Sequence, residues 1–251
     1  MKIDIISLFP DMFDALNYGI VGRALREHLL DLKHWNPRDY TDDPNGRVDD
    51  RPYGGGPGMV MQYEPLAKTI TAAKQSNDTP AKVIYLSPQG KPLTQEVICT
   101  FAQSPRLVLV SGRYEGIDER VIEKHIDEEW SVGDYVVSGG ELPCMLMIDA
   151  ITRQLPGALG HEDSADQDSF SEGLLDCPHY TRPELIDDMA VPPTLLSGYH
   201  KGIARWRRQQ SLLKTWQKRP DLVKRRVLND DDQALLQEAI KSTDEKNEES
   251  P

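Results

Sequence analysis

Short apolar runs alternate with helical patterns over the first 160 residues of the chain. Residues 2–9 form a strand-like run in which Ile3, Ile5 and Leu8 are apolar, and Pro10 then begins a helix. The same order recurs three times, with apolar strands over 83–86, 107–110 and 135–137, each followed by a helix, over 94–102, 118–125 and about 141–154. Such alternation predicts an α/β fold in which a parallel sheet is flanked by helices.

Each of these three strands is predicted to end at a serine followed by proline or glycine. The turns begin at Ser87-Pro88, Ser111-Gly112 and Ser138-Gly139. Ligands of parallel α/β sheets bind at the carboxyl ends of the strands, and glycine lets the backbone approach a ligand closely. The pattern by itself leaves two interpretations open, a set of tight turns or a ligand site.

The hydrophobic pattern changes after residue 160. Residues 161–169 have no apolar period and are typical of a linker, whereas Ile203, Trp206, Leu213 and Trp216 recur at helical intervals. Further helices are predicted over 221–228 and 230–241. The predicted organisation is a large domain over 1–160, a flexible linker over 161–174, a small all-helical domain over 175–241 and a disordered acidic tail over 242–251.

Charge is distributed very unevenly along the chain. The net charge is −12, which taken alone argues against a nucleic-acid partner. Residues 199–226, however, contain ten Lys or Arg and one acid, Asp221, so this segment carries +9. In residues 198–208 these cations are interleaved with Tyr199 and Trp206, a combination that favours a polyanion bound at one place on the protein.

Composition excludes several classes of protein. No apolar run is long enough to span a bilayer, and the N-terminus lacks the basic region of a secretory signal, so we expect a cytoplasmic protein with no membrane partner. Cys99, Cys144 and Cys177 lie far apart, which argues against a disulfide framework or a cysteine zinc site. The histidines show no metal-ligand spacing, so no metal site is predicted.

Two glycine-containing segments could carry chemistry. The loop over 51–59 is rich in glycine, but it lacks the Gly-Lys-Ser/Thr of a phosphate-binding loop and does not follow the first strand as a dinucleotide fingerprint would. Glu115, between Tyr114 and Gly116, could accept hydrogen bonds from the donor edge of a guanine, or could be an ordinary acid near a helix start. On composition alone, Asp163, Asp166 and Asp168 are best interpreted as solvated linker carboxylates.

Four motifs resemble those of the bacterial tRNA (guanine-N1)-methyltransferases, the TrmD family, of the trefoil-knotted (SPOUT) superfamily. They are the segments over 49–59 (DDRPYGGGPGM), 111–116 (SGRYEG), 133–141 (GDYVVSGGE) and 174–183 (LLDCPHYTRP), and the likeness extends from Met1 to about Lys241. The resemblance implies a parallel α/β domain with a C-terminal trefoil knot, followed by a small helical domain that binds tRNA. It also implies a homodimer, S-adenosylmethionine as cofactor and a dependence on Mg²⁺.

The resemblance further implies methylation of N1 of the guanine just 3′ of the anticodon, position 37, in the tRNA anticodon stem-loop. Asp168 matches the family's general base and Arg153 the residue that assists it. The cofactor-binding positions of the family fall on Pro88, Gly112, Tyr114, Ser131, Val132, Tyr135, Val137, Gly139 and Gly140. The positions for the guanine and the tRNA fall on Glu115, Gly58, Ser169, Ser197, Gly198, His200, Lys201, Arg205 and Arg208.

Two other classes of function remain as alternatives. A nucleotide-binding enzyme of another chemistry would use the glycine turns for phosphates, but the chain lacks the Gly-Lys-Ser/Thr that such a site needs. A non-catalytic RNA-binding module would explain the basic segment and leave the glycine turns of the first domain without a role. The methyltransferase interpretation accounts for both halves of the sequence.

Overall fold

The chain divides at residue 162 into two compact units, each with its own core. The computed structural model describes residues 1–160 and 168–248, and of residues 244–248 only the backbone. No helix in these ranges is long and apolar enough to cross a lipid bilayer.

The first unit is built on a five-stranded parallel sheet. The strand order is β2-β1-β6-β5-β7, and a short antiparallel pair, β3 and β4, lies outside this sheet. The strands are β1 (Lys2–Ile6), β2 (Asp31–Trp35), β3 (Asp49–Asp50), β4 (Val60–Met61), β5 (Lys82–Pro92), β6 (Arg106–Ser111) and β7 (Glu128–Ser131). The helices are α1 (Gly19–Arg26), α2 (Tyr63–Gln75), α3 (Gln95–Ala102), α4 (Glu119–His125) and α5 (Glu141–Thr152), with 3-10 helices over Pro10–Asn17 and Pro37–Tyr40.

Two apolar cores lie on the two faces of this sheet. Ile3, Leu107 and Leu109 pack against the helices of one face, and Val83, Val108 and Val110 pack against those of the other. All six residues of β6 are buried, which is typical of a central parallel strand covered on both sides. The predicted α/β class with a parallel sheet flanked by helices is thereby confirmed.

The structure corrects two of the strand assignments near the predicted turns. Residues 135–137, predicted as a strand, form a loop in which Val136 is 83% exposed, because the sheet edge is occupied instead by β7. Strand β5 does not end at Ser87 but continues to Pro92, with a register shift between Leu86 and Lys91. Gly90 allows this passage, since a Cβ there would lie 2.4 Å from the backbone nitrogen of Trp130.

The second unit combines helices with one small hairpin. Its elements are β8 (Leu185–Ile186), β9 (Met189–Ala190), α6 (Pro193–Leu196), α7 (His200–Lys218), α8 (Pro220–Lys224) and α9 (Asp230–Glu248). Leu174, Leu212, Leu235 and Leu236 form its buried core. The hairpin is an addition to the all-helical domain that the sequence predicts.

The boundaries of the predicted linker and tail differ from the elements that the structure describes. Leu174, at the end of the predicted linker, is buried in the second unit, where residues 168–174 also belong. Helix α9 continues to Glu248 and so runs through most of the predicted tail. Residues 161–167 and 249–251 lie outside the described residues, and the four-part division of the chain stays a prediction.

Candidate active site

A cavity of about 370 Å³ lies at the carboxyl ends of β5, β6 and β7. Three segments line it, the irregular part of β5 near Ser87, the loop after β6 and the loop between β7 and α5. All nine residues predicted to bind the cofactor lie in its wall: Pro88, Gly112, Tyr114, Ser131, Val132, Tyr135, Val137, Gly139 and Gly140. The structure thus brings the predicted turns together at one edge of the sheet, as the position of ligand sites in such sheets leads one to expect.

Glycine permits two of these segments to meet backbone to backbone. The amide of Gly140 donates to the carbonyl oxygen of Gly112 at 2.8 Å. A Cβ at Gly140 would lie 2.7 Å from the Cα of Ser111, and one at Gly112 would lie 2.6 Å from the hydroxyl oxygen of Tyr85. A side chain at Gly140 would therefore force the two loops apart, and one at Gly112 would collide with the ring of Tyr85 in β5.

Glu115 stands in the cavity wall beside the glycine-rich loop. Its backbone amide donates to the carbonyl oxygen of Met59 at 2.9 Å, and a Cβ at Gly58 would lie 2.4 Å from its Oε1. Tyr114, just before it, has a φ of 60°, a left-handed conformation that aids the sharp turn. The structure thus brings together Gly58 and Glu115, two residues far apart in the sequence that are both predicted to contact the substrate.

Acidic side chains give one side of the cavity a negative character. Glu115 and Glu119 line it together with Tyr85. Burial, together with the nearby Glu129 and Glu119, raises the pKa of Tyr85 to about 12, so its hydroxyl stays protonated at neutral pH. Burial and the repulsion of Glu119 also raise the pKa of Glu129. A negative wall of this kind favours a ligand that carries positive charge or hydrogen-bond donors.

The two predicted catalytic residues lie in different units. Arg153 directly follows α5 in the first unit as its C-cap, and its amide donates to the carbonyl oxygen of Asp149 at 3.1 Å. Asp168 belongs to the second unit, and its carbonyl oxygen accepts from the hydroxyl of Ser171 at 2.7 Å. Asp168 also lines a cavity of about 490 Å³ whose wall includes Arg207 and Arg208. Ser169, beside it, accepts from the amide of Asp176 at 3.0 Å.

The predicted tRNA-binding residues gather at and after the start of α7. Ser197 and Gly198 precede the helix, and His200 and Lys201 are exposed in its first turn. Arg205 forms an ion pair with Glu238 at 2.8 Å, and Arg208 bridges Asp232 at 2.6 Å and Glu172 at 2.7 Å. Two acids of α9, Glu238 and Asp232, thus already form ion pairs with two of the arginines that are predicted to bind phosphate. Helical periodicity in the sequence does not reveal these pairs.

A cluster of possible ligand atoms lies near Asp168, although no metal site was predicted. Atoms of Asp176, Cys177 and His179 lie within 4.8 Å of one another. Nε2 of His179 lies 2.6 Å from Oδ2 of Asp176, and burial raises the pKa of Cys177 and so keeps its thiol protonated. Burial opposes ionisation of Asp176, but the hydrogen bond with His179 prevails and lowers its pKa. The pairing of Asp176 with His179 accounts for this arrangement.

Several residues of the cavity were not singled out from the sequence. Tyr85, Arg113 and Glu119 line it, and Glu141, the ion-pair partner of Arg113, is fully buried. Arg113 and Glu141 lie within the motifs over 111–116 and 133–141, and this position in the motifs could have indicated a role in the site. Tyr85 had no signal except its place at the end of a strand.

Comparison with known proteins gives one consistent family. The family model of the tRNA (guanine-1)-methyltransferase TrmD matches residues 1–225. The chain is 61% identical over 236 residues to the tRNA (guanine-N(1)-)-methyltransferase of Coxiella burnetii strain Dugway 5J108-111, covering 94% of this chain and 96% of that protein. It is 56% identical over 246 residues to the protein of the same name from Pseudomonas putida strain W619, and 58% to that of Pseudomonas syringae pv. tomato, with 98% of each chain covered in both cases.

Proposed function

The chain belongs to the tRNA (guanine-1)-methyltransferase family, and we propose on this basis that it methylates N1 of the guanine at position 37 of tRNA with S-adenosylmethionine as donor. The observation that carries the proposal is the glycine-walled cavity at the sheet edge, which gathers all nine residues expected to bind the cofactor. The many Lys and Arg residues of α7 support an RNA substrate.

The cavity fits the proposed cofactor in size and in chemistry. Its volume of about 370 Å³ falls within the range of about 300 to 1,000 Å³ that is usual for small-molecule sites. The backbone of Gly112, Gly139 and Gly140, which lines the cavity, would contact the cofactor, and Tyr114 and Tyr135 would add aromatic surface. When bound, S-adenosylmethionine supplies an electrophilic methyl group on a positively charged sulfur, which suits the acidic wall.

The residues of the chain would prepare the guanine for attack. Guanine N1 carries a proton at neutral pH, so it becomes nucleophilic when the carboxylate of Asp168 accepts that proton. Negative charge then spreads to O6 of the base, where the guanidinium of Arg153 would stabilise it. Glu115 would hold the donor edge of the base, and the target base must first leave its stack to reach the site.

Three further properties complete the proposal. We propose that the C-terminal part of the first unit threads a trefoil knot, that the second unit binds the tRNA and that the enzyme works in the cytoplasm. We also propose a homodimer. Leu142 and Leu146, one turn apart on α5, are 48% and 56% exposed, and a second copy of the chain would cover this apolar surface.

Calorimetric titration tests the proposal directly. We expect S-adenosylmethionine to bind with a stoichiometry of one per chain or one per dimer, and ATP not to bind. Release of heat with ATP but not with S-adenosylmethionine would instead favour a nucleotide-binding enzyme. A protein that binds tRNA but neither of these two small molecules would favour an RNA-binding module.

Replacement of Arg205 and Arg208 by alanine should weaken tRNA binding. The slope of log K against log salt should fall by roughly one unit for every phosphate that the variant no longer neutralises. Each arginine must also leave its acidic partner on α9 or Glu172 to reach a phosphate, so the decrease in affinity should be smaller than for an unpaired cation. Filter binding at low and moderate salt measures both quantities.

Lys201→Ala is the variant to compare with the double arginine variant, because Lys201 is also predicted to bind tRNA and is exposed on the same helix. Cofactor binding should be unchanged in both the double arginine variant and this one. An affinity for tRNA that stays constant in the double arginine variant at both salt concentrations would show that these arginines serve only the packing of α7 on α9.

A further inference from the structure

A buried carboxylate lies directly behind the cavity, at the start of α5. Glu141 is 0% exposed and accepts two hydrogen bonds, from the hydroxyl of Ser7 at 2.8 Å and from Nε of Arg113 at 2.8 Å. Its place in the first turn of α5 is electrostatically favourable for a negative charge. The cost of burying this charge is offset chiefly by Arg113, because the Ser7 hydroxyl is a neutral donor.

Arg113 belongs to one loop of the cavity and holds the other. Its Nη1 donates to the carbonyl oxygen of Ser138 at 3.2 Å, and a Cβ at Gly139 would lie 2.3 Å from its Nε. Its guanidinium also lies 4.5 Å from the ring centre of Phe9. One side chain therefore contacts the loop over 138–140 and the N-terminal segment while its own backbone forms the loop after β6.

We infer that the ion pair of Arg113 and Glu141 is a positioning device that holds the two glycine loops at the spacing required by the cofactor. The inference rests on the proposed function, since it concerns the same cavity. Separation of the loops would leave the carboxylate of Glu141 buried without its charged partner, which is strongly unfavourable. The cavity is therefore held in its binding shape before a ligand arrives, and the ligand does not have to order the loops.

Glu141→Gln tests the inference with a minimal change of shape. The amide oxygen can still accept from Ser7, but the amide nitrogen cannot accept from Arg113. A hydrogen bond to a charged group is worth about 1.5 to 3 kcal/mol, so the dissociation constant of S-adenosylmethionine should rise about tenfold to a hundredfold. The KM for the cofactor should rise in parallel, whereas the KM for tRNA should stay near that of the wild type.

Asp118→Asn is the matched control. Asp118 also forms an ion pair with an arginine, Arg120 at 2.6 Å, and follows the same loop, but the pair is exposed and lies outside the cavity wall. Its cofactor affinity should equal that of the wild type. The melting temperatures of both variants show whether the fold is retained. If Glu141→Gln does not fold, Arg113→Lys replaces it, because lysine keeps the positive charge but lacks the forked donor geometry of the guanidinium.

Three outcomes separate the possibilities. Weakened cofactor binding with an unchanged KM for tRNA in folded Glu141→Gln supports the inference. An affinity for S-adenosylmethionine within about threefold of the wild type overturns it, since the ion pair would then have no effect on the cavity. An equal rise of the KM values for cofactor and tRNA also overturns it, since the ion pair would then act on the whole fold. Failure of the wild-type protein to bind S-adenosylmethionine would instead refute the proposed function, and that result is seen before any variant is made.

Discussion

Asp168→Asn is expected to lower the single-turnover rate of methyl transfer by about 10² to 10⁴. The variant keeps the shape of the side chain but cannot accept the N1 proton of guanine, and a positioned general base contributes about this factor. In barrier height the loss is roughly 3 to 5 kcal/mol. Cofactor affinity should change little, because the residues expected to bind the cofactor all line the cavity of the first unit, whereas Asp168 belongs to the second.

Neighbouring aspartates provide the control for this experiment. Asp163→Asn and Asp166→Asn make the same change in charge in the same stretch of sequence, and both should methylate at near wild-type rate. Rates measured across pH add a second test, since removal of the base should also remove an ionisation from the profile. Equal rates for Asp168→Asn and Asp166→Asn would show that Asp168 is not the base.

Of the variants proposed for this protein, Arg106→Met is expected to lower the free energy of unfolding the most. Arg106 is 2% exposed at the start of β6 and forms an ion pair with the buried Asp4 of β1 at 2.8 Å. Its Nη1 also donates to the carbonyl oxygens of Lys74, Asn77 and Thr79, and its Nη2 donates to that of Ala73. The side chain therefore joins two central strands to the end of α2, where the last carbonyls of the helix need donors.

Removal of one partner from a buried ion pair typically costs about 3 to 5 kcal/mol. For a chain of this size such a loss corresponds to a fall in melting temperature of roughly 6 to 20 °C, measured by circular dichroism on the full-length protein. Arg120→Met removes an exposed ion pair and should melt close to the wild type. Equal melting temperatures of Arg106→Met and Arg120→Met would contradict the prediction. The double variant Arg106→Met/Asp4→Asn should recover part of the loss, because no unpaired charge is then buried.

Much of the first unit could be predicted because its signals are local. Apolar runs such as 107–110 lie within single strands, and the predicted helix over 94–102 corresponds to α3 within one residue. The predicted helix over 118–125 agrees equally well with α4. By contrast, β2 was missed, because Asp31–Trp35 contains only two apolar residues, three positions apart, and so shows neither the apolar run of a buried strand nor a regular alternation. The strand lies at an edge of the sheet, where such a polar composition is tolerated.

The site was predicted unevenly for the same reason. Glycine turns after strands are visible in the sequence, so the residues of the cofactor cavity could be named from motifs. The functional residues of the linker could not, since three aspartates in one polar stretch look alike, and only the family resemblance singles out Asp168. The pairing of Arg205 and Arg208 with α9 was also missed, because charge counted along one segment does not show which acids fold back onto it.

Local patterns in the sequence were sufficient for the α/β class, for the order of most helices, for strands β1, β5 and β6 and for the glycine turns that line the cavity. These features depend on the period of apolar residues and on glycine, and both act over a few neighbouring positions. Three features became visible only in the folded unit: β5 continues past Ser87, residues 135–137 form a loop, and Glu141 accepts a hydrogen bond from Ser7 across 134 positions of sequence. Such contacts are selected by the packing of the whole unit, which must pair each buried charge, and no local pattern contains that information.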